Sequence, residues 1–293
     1  MQFICIGIIL IVIIALSMSL SVLISRRYKQ IEFSNPGRFG LKYEDVSLTT
    51  IDRLTLRGWW IPSIGSVQTI IFLHGFRGSM DPDLKYAPAI HHAGYNILMF
   101  DFRAHGRSDG TVSTLGALEV RDVDAALEYT LKRGSEKIGL LGFSMGGRTA
   151  LLAGSGSELT IHAIVSDGGS VNLTVAILEQ MKEKGMLWGF RHLLCASLLL
   201  GLSIRTGKNL FLINPDYLFS HRNNIPILLI HAECDHYTNL SNLEKMVSLP
   251  GKNVKLEIVP GVKHRETDRI SFDDYVSRII TFFDRYMKSQ EES

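Results

Sequence analysis

Six short apolar runs, each closing on glycine, serine or an acid, limit the shape of this chain more than anything else in it. They read TIIFLHG (69–75), NILMFD (96–101), KIGLLGFS (137–144), IHAIVSD (161–167), IPILLIHAE (225–233) and KLEIVPG (255–261). Each has the length of a strand, and most run apolar without the alternation that one wet face would impose. Stretches of helical spacing lie at 83–93, 114–132, 145–154 and 272–287. In the second of these, Leu115, Leu118, Val120, Val123, Ala126 and Leu127 form one face and Asp122 and Asp124 the other. Strands buried on both sides and joined by helices make a parallel sheet covered by helices. Two further strands, 46–49 and 54–61, flank a turn at Ile51-Asp52-Arg53. The expectation is an α/β fold with a mostly parallel, eight-stranded sheet flanked by helices.

Two segments depart from that rhythm. Residues 3–24, FICIGIILIVIIALSMSLSVLI, carry no charge, and Arg26, Arg27 and Lys29 follow at once. About 20 apolar residues suffice for a helix to cross a bilayer. A cleaved signal peptide would carry its basic residues before the apolar stretch, and would be shorter. An uncleaved N-terminal transmembrane helix is therefore expected. With the basic flank on the cytoplasmic side, the main domain lies in the cytoplasm. The second departure is the stretch from Val171 to Asn224, far longer than one crossover, holding LTVAILEQMKEKGMLWGFRHLLCASLLLG. An insertion of this length inside a compact domain is usually functional, so a helical cap or lid is expected. The domain reading is an anchor (1–25), a linker (26–40), a core (41–170), a cap (171–224) and the rest of the core (225–293).

The 46% apolar and 20% charged fractions suit a packed globule. A net charge of +2, with no basic run interleaved with aromatics, argues against nucleic acid as a partner. Three cysteines cannot build a disulfide framework. No H-E-x-x-H pattern or paired-cysteine set is present, so neither metal nor cofactor is expected. GLSIRTGKN (201–209) only glances at a phosphate loop: its glycines are too far apart, and Asn209 stands where serine or threonine is needed.

The chemistry centres on Gly142-Phe143-Ser144-Met145-Gly146, a G-x-S-x-G between an apolar strand and a helix. The tight turn exposes the serine hydroxyl, and the residues two before and two after must be small for strand and helix to approach. Read blandly, Ser144 is a helix N-cap. Read as a nucleophile, it needs a base, and the base needs an orienting acid. His264 follows the last apolar run and Asp235 the one before, so the order Ser, Asp, His is met. Both belong to loops at the same sheet edge as Ser144. Glu233 and Asp167 remain open as the acid. Two backbone donors would hold the developing oxyanion: the N–H of Met145 and that of Phe76, in the loop after 69–75. His74 is expected to brace that loop rather than to titrate.

FLHGFRG, FDFRAHGRSDG, LGFSMGG, PILLIHAECD and PGVKH occur in this order from about Lys42 to Met287. On these motifs the chain resembles the serine hydrolases of α/β-hydrolase fold, in particular a membrane-anchored, bacterial-type, esterase/lipase-like branch. The resemblance implies Ser144 as nucleophile, Asp235 as acid, His264 as base, and Phe76 and Met145 at the oxyanion. It also implies a cap ending at Asn214-Pro215 and a bracing loop at Asp101-Phe102-Arg103 and Gly106-Arg107-Ser108. Ala104 and Ala232 stand where glycines are common. The activity implied is cleavage of carboxylic esters of a small-molecule acyl or lipid-like substrate through an acyl-enzyme. Thioesterase, acyltransferase or peptidase chemistry on the same triad, or a non-catalytic scaffold, are the rivals.

Overall fold

Strand propensity and burial coincide along the chain. In the computed structural model, which describes residues 2–28, 34–157, 159–215, 224–248 and 253–288, the apolar runs form one eight-stranded sheet. Its strands are β1 (Glu44–Thr49), β2 (Thr55–Ile61), β3 (Gln68–Leu73), β4 (Asn96–Phe100), β5 (Lys137–Phe143), β6 (Ala163–Asp167), β7 (Ile227–Ala232) and β8 (Val254–Val259). The order is β1-β2-β4-β3-β5-β6-β7-β8. Only the β1–β2 and β2–β4 pairings are antiparallel. From β4 to β8 every pairing is parallel, so the loops after β3, β5, β6, β7 and β8 leave one common edge. The edge strand β8 places Lys255 toward water, where it pairs with Glu257, which discourages a further strand from pairing there.

The helices are α1 (Gln2–Ser25), α2 (Ala87–His92), α3 (Val120–Lys132), α4 (Met145–Gly156), α5 (Leu173–Glu183), α6 (Trp188–Thr206), α7 (Leu240–Val247) and α8 (Phe272–Met287). One face of the sheet packs Val123, Leu127 and Leu151 of α3 and α4. The other packs Ile90 of α2 and Ile279 and Phe283 of α8. Two helical expectations shorten. In 83–93, the first half is a 3₁₀ turn (Asp81–Tyr86) and only α2 is α-helical, because Pro88 lacks the N–H that a continuous helix would need there. In 114–132, α3 starts only at Val120. Leu115 and Gly116 take positive φ, and the buried Glu119 carboxylate accepts from Ser113 Oγ, Thr114 N, Thr114 Oγ1 and Gly116 N, holding the preceding residues as a loop.

The insertion forms α5 and α6, which bury Leu173, Ile177, Cys195, Leu198, Leu199 and Leu202 between them and what lies beneath. Residues 216–223 of the expected cap, 29–33 of the expected linker and 289–293 of the expected core lie outside the described residues.

The expected span is helical as α1. No helix among the described residues is long and apolar enough to cross a membrane. The C-terminal part of α1 packs along α6: a Cβ on Gly201 would meet Ser17 O at 2.1 Å. Arg205 Nη1 donates to Ser25 Oγ at 2.7 Å. The chain leaving α1 is then sewn into the core. Ser113 N–H donates to Ser25 O, Tyr28 N–H to Ala104 O, and Arg27 Nη2 to Ser108 O. Residues 26–28, expected as linker, are part of the packed structure.

Candidate active site

The Ser144 turn is made by steric demand. A Cβ on Gly142 would lie 2.4 Å from Gly146 O, and one on Gly146 would lie 1.8 Å from Leu73 O. With both positions bare, β5 turns directly into α4, and Ser144 is held at φ 53° and ψ −114°. That backbone is strained for a residue with a side chain and persists because the neighbours over-determine it. Ser144 N–H donates to Asp167 O at 2.7 Å, and its side chain makes no cap on α4. The hydroxyl instead points across the sheet edge.

There it meets His264. Ser144 Oγ and His264 Nε2 are 2.8 Å apart, and His264 Nδ1 and Asp235 Oδ2 are 2.7 Å apart. The ionised carboxylate can only accept, which assigns the imidazole proton to Nδ1 and leaves Nε2 to accept from the serine. The Asp235 side chain is fully buried. Its other oxygen accepts from the N–H groups of Tyr237 (2.7 Å) and Thr238 (3.2 Å). The two rival acids are occupied elsewhere. Glu233 accepts from Gly261 N–H, and Asp167 accepts from Thr267 Oγ1 and Tyr275 OH. Gly168 and Tyr237 enclose the imidazole: a Cβ on Gly168 would come within 2.9 Å of His264 Cε1, and the Tyr237 ring centroid is 4.6 Å away.

Phe76 and Met145 both line the cavity into which Ser144 opens. Met145 begins α4, where the backbone N–H groups lack intrahelical partners and the helix dipole favours negative charge. The Phe76 loop lies against the serine, since a Cβ on Gly75 would be 3.5 Å from Ser144 Cβ. His74 holds this loop. Its Nδ1–H donates to Gly75 O and its Nε2 accepts from Phe102 N–H. Burial, reinforced by the neighbouring His105, pulls its pKa down to about 3, so it braces the loop as a neutral ring. The 101–108 loop is braced in turn: Asp101 accepts from the N–H groups of Met80 and Arg107, and Ser108 Oγ donates to Asp101 O. Ala104 sits at φ 60°, a backbone that favours glycine, which accounts for the residue type usual at that position.

Several residues at the site carry no motif. Arg148, one turn after Ser144 on α4, is buried and donates to the carbonyls of Leu115, Ser170 and Ile213. Ser170 and Ile213 are the two feet of the α5–α6 insertion, so one guanidinium ties the insertion to α4, the helix that follows Ser144. Arg265, at φ 65°, lies over the Phe143 ring and pairs with Asp83, and both line the cavity. A buried Arg one helical turn beyond G-x-S-x-G was the available signal for the first. Arg265 offers none without the fold.

The cavity above Ser144 has a volume of about 470 Å³, within the range of small-molecule sites. Its walls come from the core (Leu115, Met145), from the insertion (Leu173, Ile177, Met181, Leu198) and from Ile24 of α1. They are mostly apolar, with the Ser144–His264 pair at the floor. Among the described residues, no group of three or more His, Cys, Asp or Glu side chains is placed to hold a metal ion.

Comparisons with known proteins agree with this architecture. Residues 68–194 match the family model described as alpha/beta hydrolase fold. The chain is 29% identical over 250 residues to the uncharacterized protein YfhR of Escherichia coli, covering 82% of this chain and 80% of that protein. It is 24% identical over 239 residues to the uncharacterized protein YqkD of Bacillus subtilis, covering 80% of this chain and 77% of that one. Among solved structures, an esterase of Pyrococcus furiosus superposes with a TM-score of 0.74 at 27% identity, covering 90% of this chain and 98% of the esterase. The chain has the α/β-hydrolase fold.

Proposed function

We propose that this chain is a membrane-tethered serine hydrolase that cleaves carboxylic esters. The observation that carries the reading is the hydrogen-bonded line Ser144–His264–Asp235 on the floor of an apolar cavity. In this mechanism Ser144 Oγ attacks the acyl carbon while its proton passes to His264 Nε2. Asp235 keeps the imidazole oriented and stabilises its charge. The N–H groups of Met145 and Phe76 receive the oxyanion. His264 then gives the proton to the departing alkoxide as the acyl–oxygen bond breaks. Water, deprotonated by the same imidazole, releases the acid and restores Ser144. The fold-level likeness to an esterase supports hydrolysis over the scaffold reading, and the apolar walls support an acyl substrate.

Purified protein is expected to hydrolyse p-nitrophenyl esters of short to medium chain and to label covalently with a fluorophosphonate. A protein that does neither is not a serine hydrolase.

The tether rests on the uncharged run at 3–24, its basic flank and the outward-facing Ile11, Val12, Leu16 and Leu23 of α1. The proposed orientation puts the hydrolase domain in the cytoplasm. A C-terminal reporter active only in the cytoplasm is expected to work. One active only on the far side of the membrane would reverse the topology.

A further inference from the structure

The inner and outer faces of the α1–α6 pair differ in what they touch but not in chemistry. On its inner side α6 buries Cys195, Leu198, Leu199 and Leu202, and Leu198 reaches the cavity. On its outer side Phe190, Leu193 and Ile204, with Leu187 and Trp188 at its start, stand exposed. Trp188 is 70% and Leu193 60% accessible. A helix apolar on both faces belongs in a protein interior or in lipid. The outer stripe continues onto α1, because the two helices run in the same direction in contact. Ser17 faces Gly201, and Ser25 faces Arg205 one turn on. The exposed Ile8, Ile11, Val12 and Leu16 of α1 therefore extend the same patch. An exposed apolar surface of this kind marks an interaction site. Lys182 and Lys184, in the turn beside the patch, are exposed and have long stems that reach toward water. The inner side of this same pair, through Ile24 and Leu198, walls the cavity over Ser144.

We propose that the outer α1–α6 face lies in the lipid phase, and that the substrate is a bilayer-resident lipid bearing a fatty acyl ester that reaches Ser144 past Ile24 and Leu198. This rests on the serine-hydrolase reading above and adds to it the substrate's class and its route. The occupant of the exposed face is lipid rather than a second copy of the chain. Lipid both covers an apolar stripe on two adjacent helices and holds a substrate at the wall behind it.

The test uses the full chain reconstituted in phosphatidylcholine vesicles containing 1-oleoylglycerol. Of the three tryptophans, Trp59 and Trp60 are buried in the core and Trp188 is exposed. Replacing the phosphatidylcholine by its acyl-brominated form is expected to quench emission in the wild type and not in Trp188→Phe. The double variant Phe190→Asn/Leu193→Asn is expected to lose about 10-fold or more of its 1-oleoylglycerol hydrolysis, since it weakens seating in lipid, while hydrolysis of soluble p-nitrophenyl butyrate is unchanged. The proposal is overturned if bromolipid leaves Trp188 emission intact, including the case in which cross-linking shows a second copy covering it. Equal rates on both substrates in wild type and variant, or an equal loss on both, overturn it as well. If wild type cleaves p-nitrophenyl butyrate but not vesicle-borne 1-oleoylglycerol, this inference alone falls. If it cleaves neither and resists a fluorophosphonate, the hydrolase reading falls with it.

Discussion

Ser144→Ala should lower ester hydrolysis by about 10⁴-fold or more, since the attacking atom is gone and only binding and backbone donors remain. It should also end fluorophosphonate labelling. Stability separates this role from the bland alternative. If Ser144 served only as the N-cap of α4, its loss would cost about 1 kcal/mol and leave activity alone. The side chain makes no such cap, and its hydroxyl is 2.8 Å from His264 Nε2, so the unfolding midpoint should hardly move. Ser144→Gly extends the point. At φ 53° glycine relieves the strain that a Cβ imposes, so this variant should be equally inactive yet more stable by up to about 1 kcal/mol. Urea titrations of the three proteins, beside p-nitrophenyl ester assays, supply the comparison. An alanine variant with wild-type turnover would end the nucleophile reading.

Gly146→Ala should have the largest effect on the fold. The added methyl would lie 1.8 Å from Leu73 O and 2.8 Å from His74 O. Both are backbone atoms of the segment that carries the Phe76 loop, so no side chain can rotate out of the way. Either α4 or the end of β3 must shift, and a close-packed interior resists such shifts. The expected loss is about 3 kcal/mol or more, with activity falling because Ser144, Met145 and Phe76 separate. Gly156 provides the internal control. It ends the same helix, and a Cβ there meets nothing within 4 Å. Gly156→Ala should be neutral or stabilising by up to about 1 kcal/mol through helix propensity. Thermal unfolding of the pair measures the contrast. Equal midpoints would mean that strand and helix do not approach so closely.

The same steric reasoning explains how far the chain could be read unaided. The inner strands were legible because each is a nearly unbroken apolar run of the right length, so burial on both faces follows from composition, whereas β1 and β8 alternate at the sheet's edges. Helix limits were less legible. Pro88 broke a segment whose spacing looked helical. The start of α3 was set by the Glu119 carboxylate folding back onto residues N-terminal to it, a contact that spacing cannot show. Among the site residues, the order Ser144, Asp235, His264 and the sheet edge they share were readable. Chain order by itself left Glu233 and Asp167 open beside Asp235, and the motif resemblance favoured Asp235. All three carboxylates lie at or beside strand ends, and only packing turns Asp167 toward Tyr275 and Glu233 toward Gly261.

What the sequence by itself determined is the alternating strand–helix order and the turn at Ser144. Both are local, since apolar period and glycine spacing act within a few residues. What only the tertiary structure decided is everything made between distant segments. Examples are the 120-residue closure of His264 onto Ser144, the tie from Arg148 to both feet of the insertion, and Ile24 in the cavity wall. The first 25 residues read as an appendage to the α/β domain. Packing against α6 makes their last turn part of its cavity, because Gly201 lets two helix backbones meet where any larger residue would hold them apart.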